Sequence, residues 1–304
     1  MIVDCHTHLW ESPAQLGQAA SGHAVSTRPR PARADRVPDA TPEQHQLACR
    51  PVDKAIVLGF RSAYLQADVP NDFVADYVRA HSNRMIGFAG VDPSEPLEAI
   101  EEIQRAHDEL GFKGIAVAPP AQDFHPSSTG ALRVLAEAAR LEMPVLFHQG
   151  TCPAVATKMA YGRPFLLDEV ARELPGLTII VAHMGHPWVD ECIALLAKQP
   201  NVYADISRLV RRPWCAYNAL LSAHEFGVMG KLLFGSGFPF ASAAGAIESL
   251  YSINQISHGT SLPMIPREQL RAVVECNALD LLGIPPPPTD REQSGPSSVL
   301  DDDI

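Results

Sequence analysis

The stretch IVDCHTH, residues 2–8, decides the fold class, because an apolar strand ends directly in two histidines. The main alternative, a doubly wound open sheet, usually follows its first strand with a glycine-rich phosphate-binding turn, and here histidines stand at that point. Side chains two residues apart in extended backbone project to the same side, so we expect His6 and His8 to converge. The start of the chain therefore favours a closed barrel over an open sheet.

Seven further apolar runs repeat this strand pattern, with amphipathic stretches between them. The eight predicted strands are Ile2–Cys5, Lys54–Leu58, Met85–Val91, Phe112–Ala118, Pro144–His148, Thr178–His183, Asn201–Ile206 and Lys231–Gly235. The predicted helices include Asn71–Ser82, Pro96–Leu110, Gly130–Leu141, Pro164–Leu174 and Val189–Gln199. Alternating strands and helices are typical of a parallel sheet, and eight such units predict an α/β protein with a single (β/α)8 TIM barrel over residues 1–283.

Composition and charge exclude several classes of function. The chain has 304 residues, of which 46% are hydrophobic and 19% charged, so one large core is feasible. A formal net charge of −11 opposes binding to nucleic acid. The first residues show no secretion signal, and no window approaches about eighteen uncharged apolar residues, so we expect no membrane span. Six cysteines without C-x-x-C spacing indicate reduced thiols and a cytoplasmic protein.

Two segments interrupt the strand and helix pattern. Residues 11–40, rich in Ala, Pro, Arg, Ser and Gly, follow the first strand directly and are interpreted as an inserted loop. This loop is either a surface excursion or a lid over the barrel mouth. Residues 284–304 contain four consecutive prolines and three consecutive aspartates, so we expect a flexible tail.

Two more histidines stand where their own strands would leave the barrel. His148 follows the run PVLF, and His183 follows TIIVA. Because the carboxyl ends of barrel strands meet at one face, all four histidines point at one mouth. Neutral imidazoles suit zinc and similar divalent metals, and three ligands with an open position are typical of a catalytic site. The alternative for His148 and His183 is a structural role, with hydrogen bonds to backbone carbonyls.

These residues occur with further motifs in a recognisable order: GFKGI at 111–115, FH at 147–148, AHMGHPW at 182–188 and LFGS at 233–236. In this order the chain resembles the amidohydrolase-2 family, relatives of aminocarboxymuconate semialdehyde decarboxylase, resorcylate decarboxylases and lactone hydrolases. The resemblance implies that His6, His8 and His148 are metal ligands. It also implies that His183 is the acid/base or substrate-polarising residue beside the metal, and that the protein is a homodimer.

One position departs from the family pattern. The resemblance implies an aspartate after the eighth strand, in a Gly-Ser-Asp-Phe/Tyr-Pro run, but residues 235–239 are GSGFP. Gly237 can neither bind a metal nor take a proton, and general base catalysis contributes about 10²–10⁴-fold in rate. Asp205, after the seventh strand, is either a substitute for this carboxylate or a hydrogen-bonded strand-end cap. Three histidines are still a sufficient ligand set for zinc.

The sequence thus predicts a zinc-type metal enzyme that acts on a small, carboxylated organic substrate. Arg61, Lys113 and Arg208 are the candidates for binding the substrate anion, because each lies near a predicted strand end and carries a positive charge. Hydrolysis of a lactone or amide and decarboxylation both remain open. A second hypothesis, which Gly237 motivates, is a catalytically impaired barrel that binds a small molecule or a partner.

Overall fold

A computed structural model describes residues 1–24, 37–152 and 154–286. In these residues the strands are β1 (Val3–His8), β2 (Lys54–Leu58), β3 (Phe60–Ser62), β4 (Ala67–Val69), β5 (Met85–Gly90), β6 (Gly114–Val117), β7 (Val145–Phe147), β8 (Ile179–Val181), β9 (Val202–Asp205) and β10 (Leu232–Leu233). The helices are α1 (Pro42–Ala48), α2 (Asn71–Ala80), α3 (Pro96–Asp108), α4 (Pro119–Gln122), α5 (Thr129–Arg140), α6 (Leu167–Glu173), α7 (Val189–Lys198), α8 (Pro213–Glu225), α9 (Ala243–Tyr251), α10 (Arg267–Glu275) and α11 (Ala278–Leu281).

Eight parallel strands form a barrel. Their order is β1-β2-β5-β6-β7-β8-β9-β10, which is the order of the chain apart from the antiparallel hairpin β3–β4. Backbone hydrogen bonds close the seam between β1 and the segment after β10: Cys5 N–H donates to Phe234 O at 2.9 Å, and Gly237 N–H donates to His6 O at 2.9 Å. All eight predicted strands are present, and the predicted TIM barrel is confirmed.

The barrel interior is filled by apolar side chains, so it is a packed core. This interior cluster includes Val3, Cys5, Ile56, Leu58, Phe88, Leu146, Ile180 and Leu233. Phe88 needs a glycine on the next strand, because a Cβ on Gly114 would lie 2.5 Å from its ring. Helix α11 packs against β1 and adds Leu279 to the cluster, and Leu282, directly after the helix, belongs to it as well. Since α11 contributes nothing to the cavity beside the histidines, we infer that it closes the opposite end of the barrel.

A bulge in β1 sets the direction of its histidines. Asp4 pairs with Ala55 and Thr7 pairs with Val57. An advance of three residues along β1 therefore matches an advance of two residues along β2, so β1 contains one extra residue. Such an extra residue re-aims the side chains that follow it. Without the bulge, the strict alternation of a strand would place His6 on the face opposite to Cys5, which points into the barrel interior.

The predicted insertion begins as a short 3-10 helical segment, Pro13–Ala24, that packs on the β3–β4 hairpin. Gly17 has φ +49° there, and a Cβ at this position would collide with the carbonyl oxygens of residues 65 and 66, so only glycine fits. Trp10 pairs with Ala40 and donates from its indole N–H to Pro38 O at 3.1 Å, which closes the base of the insertion. Residues 25–36 of the predicted loop lie outside the described residues.

The carboxyl-terminal boundary lies slightly beyond the predicted one. Ile284 is buried in the interior cluster, so the barrel core includes the first residue of the predicted tail. The tail from residue 287 onward lies outside the described residues. In the parts of the chain that the structure describes, no helix combines the length and apolar character needed to cross a membrane.

Candidate metal centre

All four predicted histidines meet at one end of the barrel. His6 and His8 lie on β1, His148 directly follows β7, and His183 follows β8. The ring centroid of His6 lies 5.0 Å from that of His148 and 4.7 Å from that of His183. The ring of His8 lies 5.2 Å from that of His148. The structure therefore brings together the residues predicted to bind metal and the residue predicted to act beside it.

Three of these rings have the spacing of a metal site. Within the described ranges, ligand nitrogens of His6, His148 and His183 all lie within 4.8 Å of one another. His8 is close to the group, because its Nε2 lies 3.2 Å from Nε2 of His6. The predicted assignment of His8 as a ligand and of His183 as the acid/base residue stays a prediction, since this geometry offers either ring as the third ligand.

Asp205 is fully buried and holds His6 in place. Its Oδ2 lies 2.8 Å from Nδ1 of His6, which leaves Nε2 of the ring for a metal. A carboxylate behind a ligating histidine fixes the tautomer and orientation of the ring. Burial tends to raise the pKa of Asp205, but the charge of His6 and several hydrogen bonds outweigh burial and lower this pKa. Asp205 therefore orients the His6 ring through Nδ1, and its two predicted roles, substitute carboxylate and strand-end cap, stay predictions.

Ser207 connects the same carboxylate to His183. The Ser207 hydroxyl donates to Oδ1 of Asp205, which can only accept, so Nδ1–H of His183 donates to Ser207 Oγ at 2.7 Å. The backbone N–H of His183 also donates to Oδ1 of Asp205, at 3.1 Å. His183 thus presents its Nε2 to the cluster. One buried carboxylate positions two of the four rings.

The environment of the site favours the neutral form of three of the four imidazoles. Burial lowers the pKa of His8, His148 and His183 well below the ordinary 6.5, and the positive charge that His6 can carry lowers each of them further. A histidine must be deprotonated at the nitrogen that binds a metal. His8, His148 and His183 are therefore in the protonation state that a metal site requires.

Arg208 occupies the space that a side chain at residue 237 would need. Gly237 has φ +70°, and a Cβ built on it would lie 2.9 Å from Cγ of Arg208 and 3.3 Å from the Arg208 backbone nitrogen. The aspartate that the resemblance implies at residue 237 would therefore collide with Arg208 in this structure. A cationic side chain covers the backbone where the resemblance implies an acidic one.

A cavity of about 140 Å³ opens beside the histidines. Its walls are mainly apolar and include Leu9, Trp10, Leu16, Phe60, Val69 and Phe240; its polar lining includes His8, His148, His183, Gln149, Thr151 and Arg208. The Arg208 guanidinium lies 5.0 Å over the Phe240 ring. Burial is the main influence that lowers the pKa of Arg208, and no described carboxylate is among its charged neighbours. The cavity suits a small apolar molecule with an anionic group.

Comparison with known proteins assigns the family. The sequence model of the amidohydrolase family, the one that the resemblance named, matches residues 3–284. The chain belongs to the amidohydrolase family. A search of curated proteins finds no match to this amidohydrolase.

Solved structures support the same fold at low sequence identity. An uncharacterized TIM-barrel protein from Bordetella bronchiseptica matches with a TM-score of 0.69 and 19% identity, over 93% of this chain and 98% of that chain. A dihydroxybenzoic acid decarboxylase from Polaromonas sp. JS666 matches with a TM-score of 0.63 and 18% identity, over 93% and 96%. A probable 2-pyrone-4,6-dicarboxylic acid hydrolase from Acinetobacter baumannii matches with a TM-score of 0.61 and 16% identity, over 93% and 99%.

Two predicted substrate-binding residues of this amidohydrolase lie away from the cavity. Arg61, on β3, donates to Glu98 at 3.0 Å and lies 3.9 Å from Glu95, so its charge is already paired. Lys113 is exposed and precedes β6, which begins at Gly114. It therefore lies at the amino end of a barrel strand, opposite to the histidines. The structure thus places Lys113 at the end of the barrel away from the mouth, whereas Arg61 follows the carboxyl end of β2 but lies outside the cavity lining.

The structure also shows residues that sequence reasoning missed. His45 on α1 is buried; its Nε2 lies 2.8 Å from Thr7 Oγ1 and its Nδ1 lies 2.7 Å from the Tyr77 hydroxyl. Thr7 lies between the two histidines of β1, so this hydrogen-bond network holds the part of β1 that carries His6 and His8. Ser207 and Gln149 were missed as well, although each follows a predicted strand end by one or two residues. That position was the one available signal.

Proposed function

We propose that the protein is a metal-dependent enzyme that transforms a small, carboxylated organic substrate, by hydrolysis of a lactone or amide or by loss of carbon dioxide. The observation that carries the proposal is the convergence of the imidazoles of His6, which is buried, and of His148 and His183, which are half-buried. Nε2 of His148 is buried and has no hydrogen-bond partner among the described residues. An unpaired buried nitrogen at the centre of a histidine cluster fits a metal ligand.

The donor set fits a divalent metal. His6, His148 and either His183 or His8 would hold it, and the bound ion would polarise a carbonyl or carboxyl oxygen of the substrate. Imidazole ligands suit zinc and other borderline metals, so the zinc prediction stands as part of this proposal. The dihydroxybenzoic acid decarboxylase from Polaromonas was solved with bound manganese, which makes manganese the second metal to test.

The protein's own residues supply binding and proton handling. Arg208, with no described acidic partner, would bind the substrate carboxylate, and the apolar walls would exclude water from the reacting end. His183 can hold a proton at Nε2, because its Nδ1 lies 3.9 Å from Oδ1 of Asp205 and Ser207 connects the two groups. If His8 completes the metal site, His183 is therefore the proton shuttle.

The proposal is tested by metal analysis of protein purified without chelator, beside a His6→Ala/His8→Ala double variant. We expect about one zinc or manganese ion per chain in the wild type and a loss of that ion in the variant. Separate His8→Asn and His183→Asn variants then identify the third ligand: the ligand variant loses metal, and the shuttle variant keeps metal but loses turnover. The substrates would be aromatic carboxylates and carboxylated lactones, with chelator-treated protein as the control. A wild type without metal and without turnover would reject the proposal.

A second candidate function is a barrel that binds a carboxylate without converting it. The packing of Arg208 over Gly237 favours this alternative, because it puts a cation where a catalytic acid is missing. The same substrate panel separates the two. Saturable binding with no product in metal-loaded protein supports the binding barrel, whereas product formation supports the enzyme.

A further inference from the structure

Gln149 presents a buried side-chain amide with no protein partner. It follows His148 after β7, lines the cavity and is 2% exposed. Neither its Oε1 nor its Nε2 has a hydrogen-bond partner among the described residues. Because buried amides in folded proteins are nearly always hydrogen-bonded, this one requires an explanation.

A second glutamine shows that the fold does satisfy a buried amide where its role is structural. Gln122 is also buried; its Oε1 accepts from Ala118 N–H at 2.6 Å. Its Nε2 donates to the carbonyl oxygens of Arg61 and Val91, each at 2.6 Å. An apolar residue at 149 would avoid burying an unsatisfied amide. The contrast therefore indicates that the partner of Gln149 is a ligand in the cavity.

We propose that Gln149 is a specificity-determining residue that pairs with an amide or lactam group of the substrate. Its side chain offers a donor and an acceptor side by side. A carboxylate would satisfy the donor alone, and an ammonium would satisfy the acceptor alone. A neutral amide edge satisfies both at once. The substrate class is thus an apolar carboxylate that also carries an amide; the carboxylate part, at Arg208, rests on the proposed function.

The test measures dissociation constants by calorimetry for the three isomeric carbamoylbenzoates, benzoate, benzamide and toluene. Hydroxybenzoates serve as single-oxygen competitors, and each probe is measured with chelator-treated and with manganese-loaded protein. Two hydrogen bonds to the amide predict that at least one carbamoylbenzoate binds about tenfold more tightly than benzoate. Gln149→Met should abolish this ratio, so that every carbamoylbenzoate binds within about twofold of benzoate in that variant.

Urea unfolding separates a structural role from a binding role. Gln149→Met should keep or raise the unfolding midpoint, whereas the matched Gln122→Met variant should lower it, since it loses three hydrogen bonds. The inference is overturned if the wild type shows no amide preference, if the preference survives in Gln149→Met, or if a hydroxybenzoate is preferred over every amide.

The failure of the proposed function has a different signature. If no carboxylate binds, but benzamide binds more tightly than toluene and Gln149→Met removes that difference, the inference about Gln149 holds and the carboxylated substrate is rejected. If carboxylates bind and Arg208→Met weakens them all equally, but no amide preference exists, the carboxylate holds and the role of Gln149 is rejected.

Discussion

Gly237→Ala should destabilise the protein more than Gly259→Ala, although the two glycines have nearly the same positive φ, +70° and +72°. Left-handed backbone costs a non-glycine residue about 1–2 kcal/mol at either position. At residue 259 nothing lies within 4 Å of a built Cβ, so this conformational penalty is the whole effect. At residue 237 the Cβ would lie 2.9 Å from Cγ of Arg208, and relieving such a clash costs about 1–3 kcal/mol more.

The assay is urea unfolding of both variants at one pH, in the wild-type background and in an Arg208→Ala background. Removing Cγ of Arg208 should eliminate most of the excess cost of Gly237→Ala, which is a coupling of about 1–2 kcal/mol. The cost of Gly259→Ala should be the same in both backgrounds. Equal costs for the two glycine variants, or an excess at residue 237 that persists without the Arg208 side chain, would refute the steric reasoning.

Combining variants at residues 237 and 208 also tests how this position affects ligand and metal binding. Gly237→Asp alone should disturb Arg208 and weaken carboxylate binding, because the new side chain and the arginine compete for one space. Combined with Arg208→Ala, the aspartate has room. Metal content, measured by elemental analysis, should then be at least as high in the double variant as in the wild type, since a carboxylate is an added negative ligand.

Two further predictions concern Asp205 and His45, whose side chains contact residues of β1. Asp205→Asn should lower metal affinity about 10- to 100-fold, measured by chelator competition, because it removes the carboxylate that holds Nδ1 of His6; unchanged affinity would contradict that role. Burial lowers the pKa of His45 from 6.5 to about 3, so below pH 6.5 the unfolded chain binds a proton that the folded chain does not. Stability should therefore fall from neutral pH towards pH 3, by about 2 kcal/mol at pH 5 from this residue, and urea unfolding of His45→Gln should show a shallower pH dependence; identical dependences would contradict this.

The barrel and the four histidines could be predicted because both depend on local pattern. Strands of a parallel barrel are buried on both faces and can be recognised in the sequence as continuous apolar runs. A residue at the carboxyl end of such a run lies at the barrel mouth, whichever of the eight strands it follows. Lys113 shows the limit of this argument. Lys113 is the second residue of the predicted strand Phe112–Ala118, so its placement at the mouth conflicted with the direction of that strand, and the structure begins β6 only at Gly114.

The hydrogen-bond partners could not be predicted, because they join residues far apart in the chain. Asp205 reaches His6 across 199 positions, and nothing in the sequence around either residue specifies this contact. The unpaired amide of Gln149 could not be predicted either, because only the structure shows that no described residue hydrogen-bonds to it. The pairing of Arg61 could not be predicted for the same reason, since Glu98 lies on α3 and Glu95 directly precedes that helix.

The charge balance of the site argues for the kind of substrate it binds. Asp205 is the carboxylate that holds His6 and His183, through its two oxygens, and it has no short contact left for Arg208. Arg208 is therefore a half-buried cation without a described counter-ion, and an unpaired charge that is partly removed from water is unfavourable. A bound metal would add further positive charge. The anionic substrate proposed above would relieve both, so a glycine at 237 is compatible with a site that takes its negative charge from the molecule it binds.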